Sequence, residues 1–109
     1  MLKDSQCEAC ENFGMQPLTK EEANHFLKET PDWVLSEDAQ SIYRELSFKG
    51  FKSVMFFVNA LAFISEQEGH HPDLKIGYNY CTITYTTHSI KGLSKNDFIC
   101  AAKADQLLG

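Results

Sequence analysis

The run Phe51-Lys52-Ser53-Val54-Met55-Phe56-Phe57-Val58-Asn59-Ala60-Leu61-Ala62-Phe63-Ile64 decides the fold of this 109-residue chain. Apolar residues recur along it three and four apart, the period of an α-helix. Phe51, Val54, Met55, Val58, Leu61 and Ala62 form one stripe, and Phe56, Phe57, Ala60, Phe63 and Ile64 form a second. One stripe is enough to dock a helix on a sheet. A helix over residues 50–67 with two stripes is therefore predicted to be buried on most sides. A chain of this size can hardly cover both, so the second face is expected to meet another subunit.

Outward from this helix the pattern changes to period two. On the N-terminal side, Trp33 and Leu35 alternate with polar neighbours, and Ile42, Leu46 and Phe48 share a parity interrupted by Arg44. The polar stretch Ser36 to Gln40 lies between them, so a hairpin is predicted. On the C-terminal side, Leu74, Ile76 and Tyr78 have one parity, and Cys81, Ile83 and Tyr85 the other. The phase slips near Tyr78-Asn79-Tyr80, where Asn79 suits a turn. Helices close both ends. Thr19-Lys20-Glu21-Glu22 reads as a capping box, with Ala23, Phe26 and Leu27 on one apolar face and Pro31 as the stop. Ser94 with Asp97 three residues on starts a last helix running to about Leu107. The order is α-β-β-α-β-β-α. It predicts an α+β fold, a four-stranded antiparallel sheet with three helices on one face. Residues 1–17 read as an N-terminal tail or loosely docked arm, and residues 18–109 as the folded domain.

Composition narrows the function. Hydrophobic residues make up 43% of the chain, which is globular in character. No stretch approaches the roughly 18 apolar residues of a membrane span. Met1-Leu2-Lys3-Asp4 lacks an apolar signal core, so a cytoplasmic location is expected. The formal net charge of −5 argues against direct nucleic-acid binding, which needs a basic patch. Four cysteines, Cys7, Cys10, Cys81 and Cys100, are expected to be reduced thiols. Cys7 and Cys10 form a lone Cys-x-x-Cys with no second pair at zinc spacing. A mobile pair, a local metal clip and a redox role all remain open for it.

Three of the four histidines fall at predicted element ends: His70 and His71 just after the long helix, and His88 after a strand. Element ends gather on one rim of an α+β domain, so the three could face one pocket. Glu66 lies one helical turn before His70. Histidine titrates near neutrality, so such a rim suits acid–base catalysis. The same residue types could hold zinc, although adjacent histidines diverge and the His-x-x-x-His spacing is absent. Purely structural histidines are the third reading. His25 falls on the polar part of the first helix and reads as solvated surface. Asp97 reads mainly as a helix cap. Trp33 reads as core by default, though a tryptophan there can also wall a planar ligand.

Glu66-Gln67-Glu68-Gly69-His70-His71-Pro72, then five residues to Tyr78, nine more to His88 and eight more to Asp97, resembles the signature of the pterin-4a-carbinolamine dehydratases. The similarity runs from about Thr19 to Leu108. It includes Pro31-Asp32-Trp33, Phe48 to Phe57, Thr87-His88-Ser89 and Gly92-Leu93-Ser94-Lys95-Asn96-Asp97-Phe98. The Cys7-Glu8-Ala9-Cys10 start is similar to bacterial members, which work with phenylalanine hydroxylase. The resemblance makes residues 18–109 a pterin carbinolamine dehydratase domain with this α+β fold. It implies a homodimer joined sheet edge to sheet edge, or a homotetramer built through the long helix. It makes His70, His71 and His88 catalytic, with Glu66, Trp33, Thr87 and Asp97 supporting a pterin substrate. The implied reaction dehydrates 4a-hydroxytetrahydrobiopterin to the quinonoid dihydropterin during pterin recycling, and needs no cofactor or metal. The resemblance also implies an alternative role, as a dimerisation cofactor or regulatory partner of a transcription factor.

Overall fold

Local signals set the element boundaries in the computed structural model, which describes residues 1–8 and 16–109. Thr19 caps α1 (Lys20–Leu27), its hydroxyl accepting the Glu22 N–H at 3.1 Å while the Glu22 carboxylate accepts the Thr19 N–H at 2.9 Å. A first hairpin follows, β1 (Val34–Leu35) with β2 (Ile42–Ser47). Helix α2 (Phe51–Glu68) ends at Gly69, whose φ of 67° is the left-handed C-terminal conformation that glycine adopts without strain. The second hairpin pairs β3 (Asp73–Ile76) with β4 (Tyr80–Tyr85). Its turn runs Gly77 against the Tyr80 ring, which a Cβ at that position would displace. Helix α3 (Lys95–Gln106) starts from Ser94.

The sheet is antiparallel throughout, in the order β1-β2-β4-β3. The pairs Ile42↔Tyr85 and Leu46↔Cys81 put Ile42, Leu46, Cys81, Ile83 and Tyr85 on one face, where all five are buried. Helices α2 and α3 cover that face, and α1 packs on α3. This is the α+β architecture expected from the patterning. Arg44 shares the covered parity with Ile83. It is accommodated because its guanidinium donates to Asp105 Oδ1 of α3 at 2.6 Å, with Asp32 at 3.6 Å.

The distribution of helix burial differs from expectation in two ways. The helix buried on most sides is α3, with Asn96 to Ala102 and Ala104 all buried. Its sequence reads as mixed because small residues and buried polar groups make up much of that surface. Helix α2 instead buries a single stripe, Val54, Phe57, Leu61 and Ser65, drawn from both apolar series. Its other side stays open within the single chain, as anticipated, with Phe51, Phe56 and Phe63 at 50%, 65% and 71% exposure. Strand β3 is likewise an exposed edge, with Leu74 and Ile76 partly uncovered. No helix among the described residues is long and apolar enough to cross a membrane.

The first eight residues are docked on the domain. Leu2 is buried, and its N–H donates to Glu29 Oε1 at 3.1 Å. Lys103 Nζ donates to the Lys3 carbonyl at 3.2 Å. Cys7, whose pair with Cys10 left mobile, metal-clip and redox readings open, is held against α3; Cys10 lies outside the described residues.

Candidate functional site

The three histidines line one open pocket of about 460 Å³. That volume lies within the roughly 300–1,000 Å³ of small-ligand sites. His70 and His71 reach it because Gly69 turns the chain out of α2, and the His70 N–H returns to the Ser65 carbonyl at 3.2 Å. His88 reaches it from a short 3-10 turn, His88–Ile90, just beyond β4. Thr86, Thr87 and Ser89 line it beside His88, and Cys7, Glu8 and Glu68 line it as well.

The histidines differ sharply in environment. His70 is only 9% exposed. Its Nε2 lies 2.6 Å from Asp97 Oδ1, and its ring stacks on Tyr85 at 5.9 Å with an interplanar angle of 10°. Asp97 is fully buried. Its second oxygen, Oδ2, accepts the Ser94 N–H at 2.9 Å and the Thr87 hydroxyl at 2.8 Å. One carboxylate therefore caps α3, as the Ser94 spacing indicated, and also fixes His70 across 27 residues of sequence. An ionised carboxylate accepts only, so Nε2 carries the proton in this bond, and Nδ1 is the atom left for exchange. Thr87 is positioned by its backbone bridge to Gly92 and by a 2.8 Å bond to the Ser94 hydroxyl.

His71 and His88 are open to solvent, with side chains 59% and 77% exposed. His71 Nε2 lies 3.4 Å from Glu66 Oε1, and His88 Nε2 lies 3.9 Å from Asp73 Oδ2. Glu66 does not line the histidine pocket. It borders a neighbouring hollow with His71, Pro72 and Leu74. Trp33 is also outside the pocket. It is a core residue, packed on Tyr85 at 5.7 Å, and its indole N–H donates to Asp105 at 2.9 Å. Its link to the site is indirect, through the series Trp33, Tyr85, His70. Burial pushes the Tyr85 hydroxyl's pKa up, so beneath His70 lies a neutral phenol. His25 is on the exposed side of α1, away from the pocket.

Two features around the pocket escape sequence reasoning. Tyr85 reads as an ordinary strand residue, and its place under His70 depends on how α2 exits onto the sheet. Glu68 reads as the polar end of a helix, yet Oε1 accepts the Cys7 N–H at 2.8 Å, and Oε2 pairs with Lys103 at 3.7 Å. Among the described residues, no three His, Cys, Asp or Glu side chains converge to hold a metal ion. Chemically, the arrangement is a polar pocket with one anchored and two solvated imidazoles, suited to giving and taking protons at neutral pH.

Residues 16–107 match the family model described as Pterin 4 alpha carbinolamine dehydratase. A relative from Nitrosomonas eutropha, named for pterin-4-alpha-carbinolamine dehydratase, is 53% identical over 98% of this chain and 93% of its own length. One of the same name from Legionella pneumophila is 47% identical over 98% and 95%. Among solved structures, the transcriptional coactivator/pterin dehydratase from Brucella melitensis superposes with a TM-score of 0.81 at 30% identity, covering 86% of this chain and 100% of that one. A pterin dehydratase-like RuBisCO assembly factor of the alpha-carboxysome gives 0.62 at 25% identity, covering 72% and 90%. With nearly the whole domain matched by the family model and two curated relatives close to half identical, the chain belongs to the pterin 4 alpha carbinolamine dehydratase family, and with it to the hydro-lyases.

Proposed function

We propose that this chain dehydrates 4a-hydroxytetrahydrobiopterin by histidine acid–base catalysis in the pocket of His70, His71 and His88. The observation that carries the reading is the convergence of those three histidines on one cavity, with His70 backed by a buried carboxylate. In the reaction the C4a–O bond and the N5–H bond break, and a C4a=N5 double bond forms. Water leaves and the quinonoid dihydropterin remains. The hydroxyl is a poor leaving group unless protonated, and the N5 proton needs an acceptor. One of His70 and His88 supplies the first proton and the other accepts the second. At His70 the exchanging atom is Nδ1, because Asp97 occupies Nε2. His71, steadied by Glu66, orients the pterin ring, and Thr87 and Asp97 hold His70 in register. Trp33 supports the site through Tyr85. Every step is a proton transfer, so neither a redox cofactor nor a metal is required.

The supply of such a substrate fits pterin recycling beside phenylalanine hydroxylase, whose turnover leaves pterin hydroxylated at C4a. A stopped-flow dehydration assay on freshly made carbinolamine tests the reading. Acceleration that disappears in the His70 and His88 variants is expected, and no acceleration by the unmodified chain refutes it.

The open faces support self-association. The exposed phenylalanines of α2 and the uncovered edge of β3 are the surfaces a homotetramer and an edge-to-edge homodimer would bury. The same α2 face favours a second reading, a regulatory partner of a transcription factor, in line with the Brucella melitensis protein's description as a transcriptional coactivator. A heteromer that competes with the self-assembled form would support it.

A further inference from the structure

Part of the pocket wall is built by the docked N-terminal residues Cys7 and Glu8. The Asn96 side chain grips Glu8 at both backbone atoms, accepting its N–H at 2.9 Å and donating to its carbonyl at 2.6 Å. Glu68 accepts the Cys7 N–H. These bonds bring Cys7 Sγ to 3.4 Å from Cys100 Sγ, across 93 residues of sequence. Cys7 is half-buried and lines the pocket, whereas Cys100 is fully buried in α3. The dehydration uses neither thiol.

We infer that Cys7 and Cys100 are a reversible disulfide site, through which a peroxide covalently fastens the N-terminal wall of the pocket to α3. The sulfurs need to approach by little more than an ångström to reach the roughly 2.05 Å bond length. Cys7 reacts first, being the accessible thiol. It attacks hydrogen peroxide, the O–O bond breaks, and a sulfenic acid and one water form. Cys100 then attacks the Cys7 sulfur, its thiol proton leaves with the hydroxyl as a second water, and the S–S bond closes. Two thiols lose two electrons in all, and the peroxide gains them. The contact with Cys7, followed by burial, pushes the Cys100 pKa up. Cys100 therefore rests as a protonated thiol, and the S–S bond closes only as that proton passes to the departing hydroxyl.

The test is a trypsin map of the full chain after hydrogen peroxide and alkylation, with and without dithiothreitol. Cys7 and Cys10 share the peptide Asp4–Lys20, and Cys100 lies in Asn96–Lys103. The expected product is those two peptides joined, 2 Da lighter than their sum by the chemistry above, and released by dithiothreitol. The link should persist in Cys10→Ser and vanish in Cys7→Ser, a partly exposed position where folding is not at stake, and in Cys100→Ser. Closing so long a loop should also raise the thermal midpoint, by about 10–20 °C. A bond within Asp4–Lys20 alone, loss of the link in Cys10→Ser, both thiols still alkylatable after peroxide, or stoichiometric zinc released on thiol titration would each overturn the inference.

Discussion

Replacing Asp97 by Asn separates the two duties of the most deeply buried carboxylate in the site. The amide keeps the side chain's shape and can still accept the Ser94 N–H and the Thr87 hydroxyl through its one oxygen. Its NH₂ group then faces His70 Nε2 as a donor, so that nitrogen must become an acceptor and the imidazole proton must move to Nδ1. The cap survives in part, and the charge-assisted bond at 2.6 Å is lost. A hydrogen bond to a charged group is worth about 1.5–3 kcal/mol, which places the expected destabilisation near 2 kcal/mol. For a domain of this size that lowers the thermal midpoint by about 10 °C. The rate should fall further than stability requires, because the tautomer is wrong at the exchanging atom. A loss of about 10²-fold or more is expected, the scale of a displaced acid–base group. Thermal unfolding and stopped-flow dehydration on one sample measure both. In a His70→Ala background the rate effect of Asp97→Asn should vanish, since it acts through His70. A full rate with lowered stability would remove Asp97 from the site and leave it a cap. Unchanged stability with a large rate loss would remove the cap.

His70→Ala and His88→Ala should each slow dehydration by about 10²–10⁴-fold with the fold retained by circular dichroism. His71→Ala should raise KM at least as much as it lowers kcat, and His25→Ala should be silent; near-normal rates in both the His70 and His88 variants would end the acid–base assignment. Exhaustive treatment with a strong chelator should leave the rate unchanged, and activity abolished by chelation and restored by zinc would contradict the proton-only scheme. Phe63→Glu, on the open face of α2, should reduce the oligomer in sedimentation without altering the histidine pocket; a monomer for the unmodified chain at micromolar concentration would contradict the subunit contact.

Much of this architecture is written within a few residues of each element's ends. Thr19 with Glu22, Ser94 with Asp97, and Gly69 before His70 set helix limits through contacts that close inside one turn. Strand parity put Cys81, Ile83 and Tyr85 on one face without knowledge of their partners. The gathering of His70, His71 and His88 followed from their placement at element ends.

What only the tertiary structure decided is which of several equivalent surfaces each element would bury. Two apolar stripes on α2 have similar hydrophobic content, and docking against the sheet chose a line through both, covering Phe57 and leaving Phe51 and Phe63 open. Trp33 could cover a ligand or pack inward; the Arg44 and Asp105 pair, made between a strand and α3, gave its N–H a partner in the interior. Asp97 looked like a cap because a cap is a local device, and its hold on His70 exists only because α2 delivers His70 over the start of α3. Cys7 and Cys100 meet for the same reason, across nearly the whole chain. Local hydrogen bonds depend on spacing along the chain, which sequence states directly. Contacts between distant residues depend on how rigid elements pack, and packing is a property of the whole core.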